Sequence, residues 1–423
     1  MKNIKKAWSW IPTLYFAEGL PYFAVTAISV ILYKRMGISN ADIALYTSWF
    51  YLPWVIKPFW SPIVDMLSTR RTWIIVTQLI MGAGLASIAF TIPLSSFLQW
   101  TVCFFWLLAF SSATHDIAAD GFYMLGLNEE GQSFFAGIRS TFYRIATIFG
   151  QGVLIYFAGK MEIITNNIPL AWSITFGTLC VMLIALGTYH HIMLPRPATD
   201  KARSIAGIKE AMSSFGNIFA TFFKKEGIVP ALLFMLLFRL PEAQLVKLIN
   251  PFLMDTNAAG GLGMSTEQIG ITYGTIGVIG LIAGGILGGI CISRHGLKRW
   301  LWPMVMAISI PDLVYVYLSY AQPENLTIIN SCVFVEQLGY GFGFTAYMLY
   351  LIYFAQGEYP TAHYAISTAF MALGMMLPGM VSGYIQEQLG YFNFFVWVII
   401  CCAATFLVSA QLKIDPSFGK KQQ

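Results

Sequence analysis

The sequence predicts an all-α membrane protein of twelve transmembrane helices arranged as two six-helix bundles. Three observations predict it. The 423 residues are 57% hydrophobic and only 11% charged, with a mean hydropathy of +0.66, whereas a soluble domain carries roughly 25% charge. Apolar runs of about 20 residues or more, the length needed to cross a bilayer, recur along the whole chain. Basic residues, finally, gather in alternate connections. Twelve spans take up about 240 residues at about 20 each, so connections must be short and no large soluble domain fits.

The runs fall near 8–32, 41–64, 72–92, 97–120, 133–158, 169–193, 227–254, 268–292, 300–320, 326–350, 361–386 and 390–412. Each is apolar all round and about twice the length of a barrel strand, which excludes a transmembrane β-barrel. The first run is too long for a signal-peptide core and has no small-residue cleavage site after it, so it is expected to remain as a span. Most of the 25 Lys and Arg, among them Lys5, Arg70, Arg71, Lys225, Arg294, Arg299 and Lys413, lie on one side, against Lys34, Arg35 and Lys160 on the other. That bias places both termini in the cytoplasm. All six cysteines lie in apolar runs without metal-ligand spacing and read as core residues.

The longest connection, 195–226, opens with Pro195-Arg196-Pro197. Ile205, Ile208, Met212, Phe215, Phe219 and Phe222 then recur at helical spacing, as in an amphipathic helix lying on the cytoplasmic surface. It divides the chain into a bundle at 1–194 and a second at 227–423. Gly19-Leu20-Pro21 in span 1 is echoed by Arg239-Leu240-Pro241 in span 7, and Ile138 to Phe142 by Ile366 to Phe370. Two similar halves joined by a cytoplasmic linker form the major facilitator superfamily fold, in which the bundles rock about a midplane site, so transport is the expected function.

A charge at the bilayer centre costs about 2.5–3.5 kcal/mol even on lenient scales, so intramembrane ionisable residues are the informative ones. Glu18 lies about 15 Å into span 1, with Tyr15 and Tyr22 on its face. A low dielectric favours the neutral carboxyl, so Glu18 either handles a proton or forms a fixed pair with Lys57 or another buried base. Lys57, about two turns from the end of span 2, either snorkels or meets an anion. Asp116 and Asp120, four apart in span 4 after His115, either bind a cation or proton or latch to Arg70 and Arg71 in a closed state. The latch fits their depth. Asp65, Arg294 and Arg299 occupy matching loops of the two halves and join this gating group. Arg139 and Arg144 point about 130° apart on span 5, so one suits Asp116 or Asp120 and the other the pore.

In span 7, Arg239 and Glu242 either neutralise each other or face a cavity, where the planar guanidinium suits a carboxylate or phosphate. Glu336 in span 10, one turn from Tyr340, is the second candidate for protonation. Asp312 after Pro311 reads as structural. Aromatics such as Trp49 or Tyr347 are interface residues or, alternatively, platforms for a sugar ring. Gly284, Gly285, Gly288 and Gly289 in span 8 permit close helix contact and suit sliding against a span of the other half. No phosphate loop, catalytic triad, metal motif or basic nucleic-acid stripe occurs. The expected protein is therefore not an enzyme and uses no cofactor, metal, ATP or nucleic acid.

Phe16-Ala-Glu-Gly-Leu-Pro21, Leu52-Pro53 through Lys57, Trp60-Ser-Pro62 to Asp65, His115-Asp-Ile-Ala-Ala-Asp-Gly121 and Glu129-Glu130-Gly131 through Tyr143-Arg144 resemble the AmpG-type muropeptide permeases and the related acetyl-CoA transporters. The match is strongest in the N-terminal half, with Leu377-Pro378-Gly379 in the other. It implies a major facilitator carrier of the inner membrane that imports N-acetylglucosaminyl-anhydromuramyl peptides by proton symport. Its partners would be a small solute, protons and membrane lipid, in a monomer. His115 stands where that family usually has glutamine. A carrier for acetyl-CoA or another amphiphilic solute, a drug exporter, and a non-transporting receptor are the competing readings.

Overall fold

The computed structural model describes residues 6–127, 129–198, 200–201 and 216–420, and they are helical without a β-strand. The helices are α1 Ile11–Arg35, α2 Asn40–Trp49, α3 Leu52–Leu67, α4 Arg70–Thr91, α5 Phe97–Gly126, α6 Glu129–Thr147, α7 Leu154–Thr165, α8 Ile168–Met193, α9 Ile228–Leu237, α10 Leu240–Met254, α11 Thr266–His295, α12 Leu297–Ala321, α13 Leu326–Ala355 and α14 Pro360–Ala410. Nine helical stretches among the described residues are long and apolar enough to cross a membrane. The longest, α14, is broken at Gly390, whose φ of 72° no helix accommodates. Large apolar side chains such as Phe90, Val181 and Ile400 point outward, as lipid contact requires.

The helices depart from ideal geometry where their sequence dictates. Pro241 lacks an amide hydrogen and sits at the first turn of α10, so the chain breaks at Arg239 and a new helix starts there. Five- or six-residue π turns interrupt α1 at Ala24–Ile28, the path from α6 to α7 at Ile148–Val153, and α11 at Thr272–Gly277. Such turns widen the helix by one residue and re-aim the side chains beyond them.

The chain divides into two compact units, Met1–Leu32 with Ile56–Ser214, and Tyr33–Val55 with Phe215–Gln423. The first is centred on Trp10, Phe122, Tyr15 and Tyr123, with Trp10 and Phe122 edge to face at 5.3 Å. The second is centred on Phe234, Phe238, Tyr347 and Tyr350. In that second unit Lys34 forms an ion pair with Asp255 at 2.7 Å, and the Tyr391 hydroxyl donates to the same carboxylate at 2.6 Å. Asn40 donates to Gln386 and Tyr391 beside it. A Cβ on Gly383 would collide with the Asn40 carbonyl, so only glycine permits the approach of α2 to α14.

The glycine stripe of α11 also packs within the second unit. A Cβ on Gly280 would lie 2.7 Å from the Phe334 carbonyl, one on Gly284 would collide with the Leu338 carbonyl, and one on Gly341 of α13 would collide with the Leu281 carbonyl in return. This corrects the expectation of sliding against the other half: carbonyl-to-Cα proximity on both helices is a fixed, interlocked contact. Of the expected amphipathic stretch, 202–215 lies outside the described residues. Phe222 is fully buried against Phe354, at a centroid distance of 5.6 Å, and so belongs to the core of its unit.

Candidate functional site

Four helices of the first unit bring six ionisable side chains together: Tyr15 and Glu18 from α1, Lys57 from α3, Asp116 and Asp120 from α5, and Arg139 from α6. A turn of α5 separates the two aspartates, and each has taken a different base. Lys57 forms an ion pair with Asp116. Arg139 Nη1 lies 3.1 Å from Asp120 Oδ1, donates to the Tyr15 hydroxyl at 3.0 Å, and stacks 5.0 Å above the rings of Tyr15 and Tyr123. Tyr15 in turn donates to Asp120 at 3.2 Å.

Among the described residues Glu18 has no base of its own. Its Oε2 is buried without a hydrogen-bond partner. One oxygen each from Glu18, Asp116 and Asp120 lies within 4.8 Å of the others. Three acids against two bases leave one negative charge in excess. A single proton neutralises the group. A divalent metal would overshoot to a net positive charge and compete with Lys57 and Arg139 for the same oxygens, so these residues do not fit one.

Among the described residues, the bases paired with Asp116 and Asp120 are Lys57 and Arg139, in the places where the expected latch puts Arg70 and Arg71. The Arg70 guanidinium donates to the Gly121 carbonyl at 2.9 Å, and Arg71 to the Leu194 and His191 carbonyls, while both backbone amides donate to Asp200. Lys57, which snorkelling would have carried to the surface, satisfies Asp116 from within the helix bundle. Arg144 has no ion pair among the described residues, in contrast to Arg139. Tyr22 packs edge-on against Phe23, 5.2 Å between centroids. The Asp65 side chain lies outside the described residues, and Arg294 and Arg299 are exposed.

One connected group escaped the sequence reading. The Gln78 amide donates to His115 Nε2 and accepts from His190 Nδ1, each at 3.0 Å, and His190 Nε2 meets the Thr13 hydroxyl at 3.0 Å. Gln78 and His190 are uncharged polar residues inside apolar runs; scanning for those, and not for charge alone, would have found them. The chain fixes the His115 ring beside Asp116 and leaves its Nδ1 buried without a partner.

The second unit holds its own buried ionisable residues. Arg239, at the break before α10, donates to the Tyr340 hydroxyl and lies 4.8 Å from the Phe344 ring. It forms no ion pair with Glu242, which leaves its Nε buried and unpartnered. Glu336 accepts from the Tyr315 hydroxyl at 2.9 Å and from Gln337 at 3.0 Å. Asp312 is buried, with the Cys402 thiol 3.8 Å away. Tyr347, considered as a sugar platform, is buried and donates to the Met235 carbonyl at 2.6 Å; Trp49 is exposed.

The sequence profile of the Major Facilitator Superfamily matches residues 13–383. Among curated proteins, Putative transporter AmpG 4 of Rickettsia conorii is 26% identical over 400 residues, covering 92% of this chain and 92% of the relative. The Anhydromuropeptide permease of Escherichia coli K12 is 25% identical over 399 residues, covering 91% and 75%. Among solved structures, the D-xylose-proton symporter superposes with a TM-score of 0.75 at 11% identity, covering 98% of this chain and 99% of the other. A POT family transporter in complex with 5-aminolevulinic acid gives 0.70 at 10% identity, covering 95% and 94%. At such identities the structural likeness speaks for the fold alone.

Proposed function

The chain belongs to the Major Facilitator Superfamily, and on that premise we propose that this multi-pass membrane transporter imports muropeptides across the inner membrane by proton symport. The observation that carries the coupling is the gathering of Glu18, Asp116 and Asp120, one oxygen of each within 4.8 Å of the others, in a group with one more acid than base. The substrate rests on the relatives, one of which is named for anhydromuropeptides. Both termini face the cytoplasm in this reading, following the charge bias.

Coupling follows from the same charges. When the Glu18–Asp116 pair carries its proton, Asp116 attracts Lys57 less, and an anionic group of an arriving solute draws the ammonium away from it. When the proton leaves, Asp116 recaptures Lys57 and the solute loses that contact. Proton and solute thus favour each other's binding, as linkage demands of a symporter. Glu336 is the second proton-handling residue, Arg239 and Arg144 meet anionic parts of the cargo, and Tyr15, Tyr22 and Glu242 line its path. Asp65, Arg70, Arg71, Arg294 and Arg299 serve the gates.

Reconstituted protein in liposomes provides the test. Radiolabelled N-acetylglucosaminyl-anhydromuramyl peptide should accumulate above its external concentration under an inward proton gradient, and a protonophore should collapse that accumulation. Unlabelled acetyl-CoA and a peptide-free disaccharide should compete weakly. Binding without entry into sealed vesicles, or competition led by acetyl-CoA, would overturn the reading.

A further inference from the structure

The chain that follows α14 folds back onto the second unit. Leu412 and Phe418 pack on the core of that unit, and Ile414 is buried within it. The Phe418 ring meets that of Tyr353 edge to face at 4.9 Å, and the Phe418 carbonyl accepts from the Leu297 amide at 3.0 Å. Leu297 opens α12, so the tail crosses the short turn between α11 and α12. Gly296 permits the crossing, because a Cβ there would lie 3.0 Å from the Pro416 carbonyl. Ser417 donates to Asp415 through its amide at 2.8 Å and its hydroxyl at 2.7 Å, which closes the tail into a tight turn.

The crossing gathers charge. Residues 291–300 and 411–420 carry Arg294, Lys298, Arg299, Lys413 and Lys420 against a single acid, Asp415, and these side chains are exposed. Lys420 Cγ lies within 3.9 Å of the place a Gly296 Cβ would take, so the tail returns a base to the turn itself. The general bias of basic residues toward one side of a membrane accounts for their side. It does not require two separate connections to converge on one turn. Like charges held together by a docked segment repel, and an anionic partner removes that repulsion.

The neighbours of these bases indicate which anion fits. Lys298 and Trp302 are four residues apart on α12 and share a face. Trp302 is 44% exposed, and an indole at the end of a span favours the level of the lipid headgroups. Ile290, one turn before Arg294 on α11, and Leu407, near the end of α14, are exposed as well and offer apolar surface to acyl chains.

We propose that the α11–α12 turn and the C-terminal tail together bind the headgroup of an anionic phospholipid, with Lys298 and Lys420 meeting its phosphate. The site uses none of the residues assigned to the solute or the proton, so it stands independently of the transport reading.

The test titrates full-length protein in neutral detergent with dioleoyl phosphatidylglycerol or dioleoyl phosphatidylcholine and follows the first bound lipid by native mass spectrometry. Phosphatidylglycerol should bind about thirtyfold more tightly, the scale of two basic residues beside an anionic headgroup. Lys298→Gln with Lys420→Gln should bring that ratio near one. Lys201→Gln with Lys224→Gln, which removes the same charge elsewhere, should keep it. Equal affinity for the two lipids, or the same loss in both double variants, would overturn the site and leave these bases as determinants of orientation only. Displacement of the lipid by millimolar glycerol phosphate would overturn the assignment to a membrane lipid, since free phosphate would then suffice.

Discussion

Glu18→Gln is expected to abolish uphill uptake while leaving solute exchange across the membrane intact. The glutamine amide matches the carboxyl it replaces in size and can donate to a neighbouring carboxylate. What disappears is the removable proton. With a neutral side chain in place of Glu18, the charges of Lys57, Arg139, Asp116 and Asp120 cancel permanently, which mimics the proton-loaded state. A carrier in that state can still reorient with solute bound, but a proton gradient has nothing to act on. One coupled proton lets a gradient of one pH unit support about tenfold accumulation, because one unit is worth about 1.36 kcal/mol. The measured ratio of internal to external solute should therefore fall from about tenfold to unity, with counterflow retained. Unchanged accumulation would remove Glu18 from the coupling.

Lys57→Met is expected to destabilise the first unit strongly. The Lys57 and Asp116 side chains are 27% and 22% exposed, so the loss of one partner leaves a mostly buried charge. Breaking a buried pair in this way costs on the order of 3–5 kcal/mol, whereas removing both members is often nearly neutral. Lys57→Met with Asp116→Asn should accordingly recover most of what Lys57→Met alone loses, read as the midpoint of unfolding in SDS. A single variant as stable as the wild type, or a double variant no better than the single, would contradict the ion pair as the support of Asp116.

The helices were legible because apolar length is a property of local sequence and needs no partner. The acids were legible for a related reason: Glu18, Asp116 and Asp120 sit in runs where charge is expensive. Their partners were not legible. The choice between Lys57 and Arg70 for Asp116 depends on how deep α3 sits against α5, and residue numbers along two separate helices do not fix relative depth. The glycines of α11 show the same limit, since the spacing announces a close contact without naming α13 as its other side. Gln78 and His190 were missed because a neutral polar side chain costs little enough to pass a search keyed to charge.

The central claim is that one proton crosses with the solute by way of the carboxyl group formed around Glu18. The most direct measurement is of protons themselves, with a pH-sensitive dye outside liposomes that hold the carrier and start with no gradient. Adding muropeptide to the wild type should alkalinise the exterior at a rate matching solute entry, and Glu18→Gln should remove the signal. Solute entry by the wild type without any pH change, or an undiminished change in Glu18→Gln, would contradict the account.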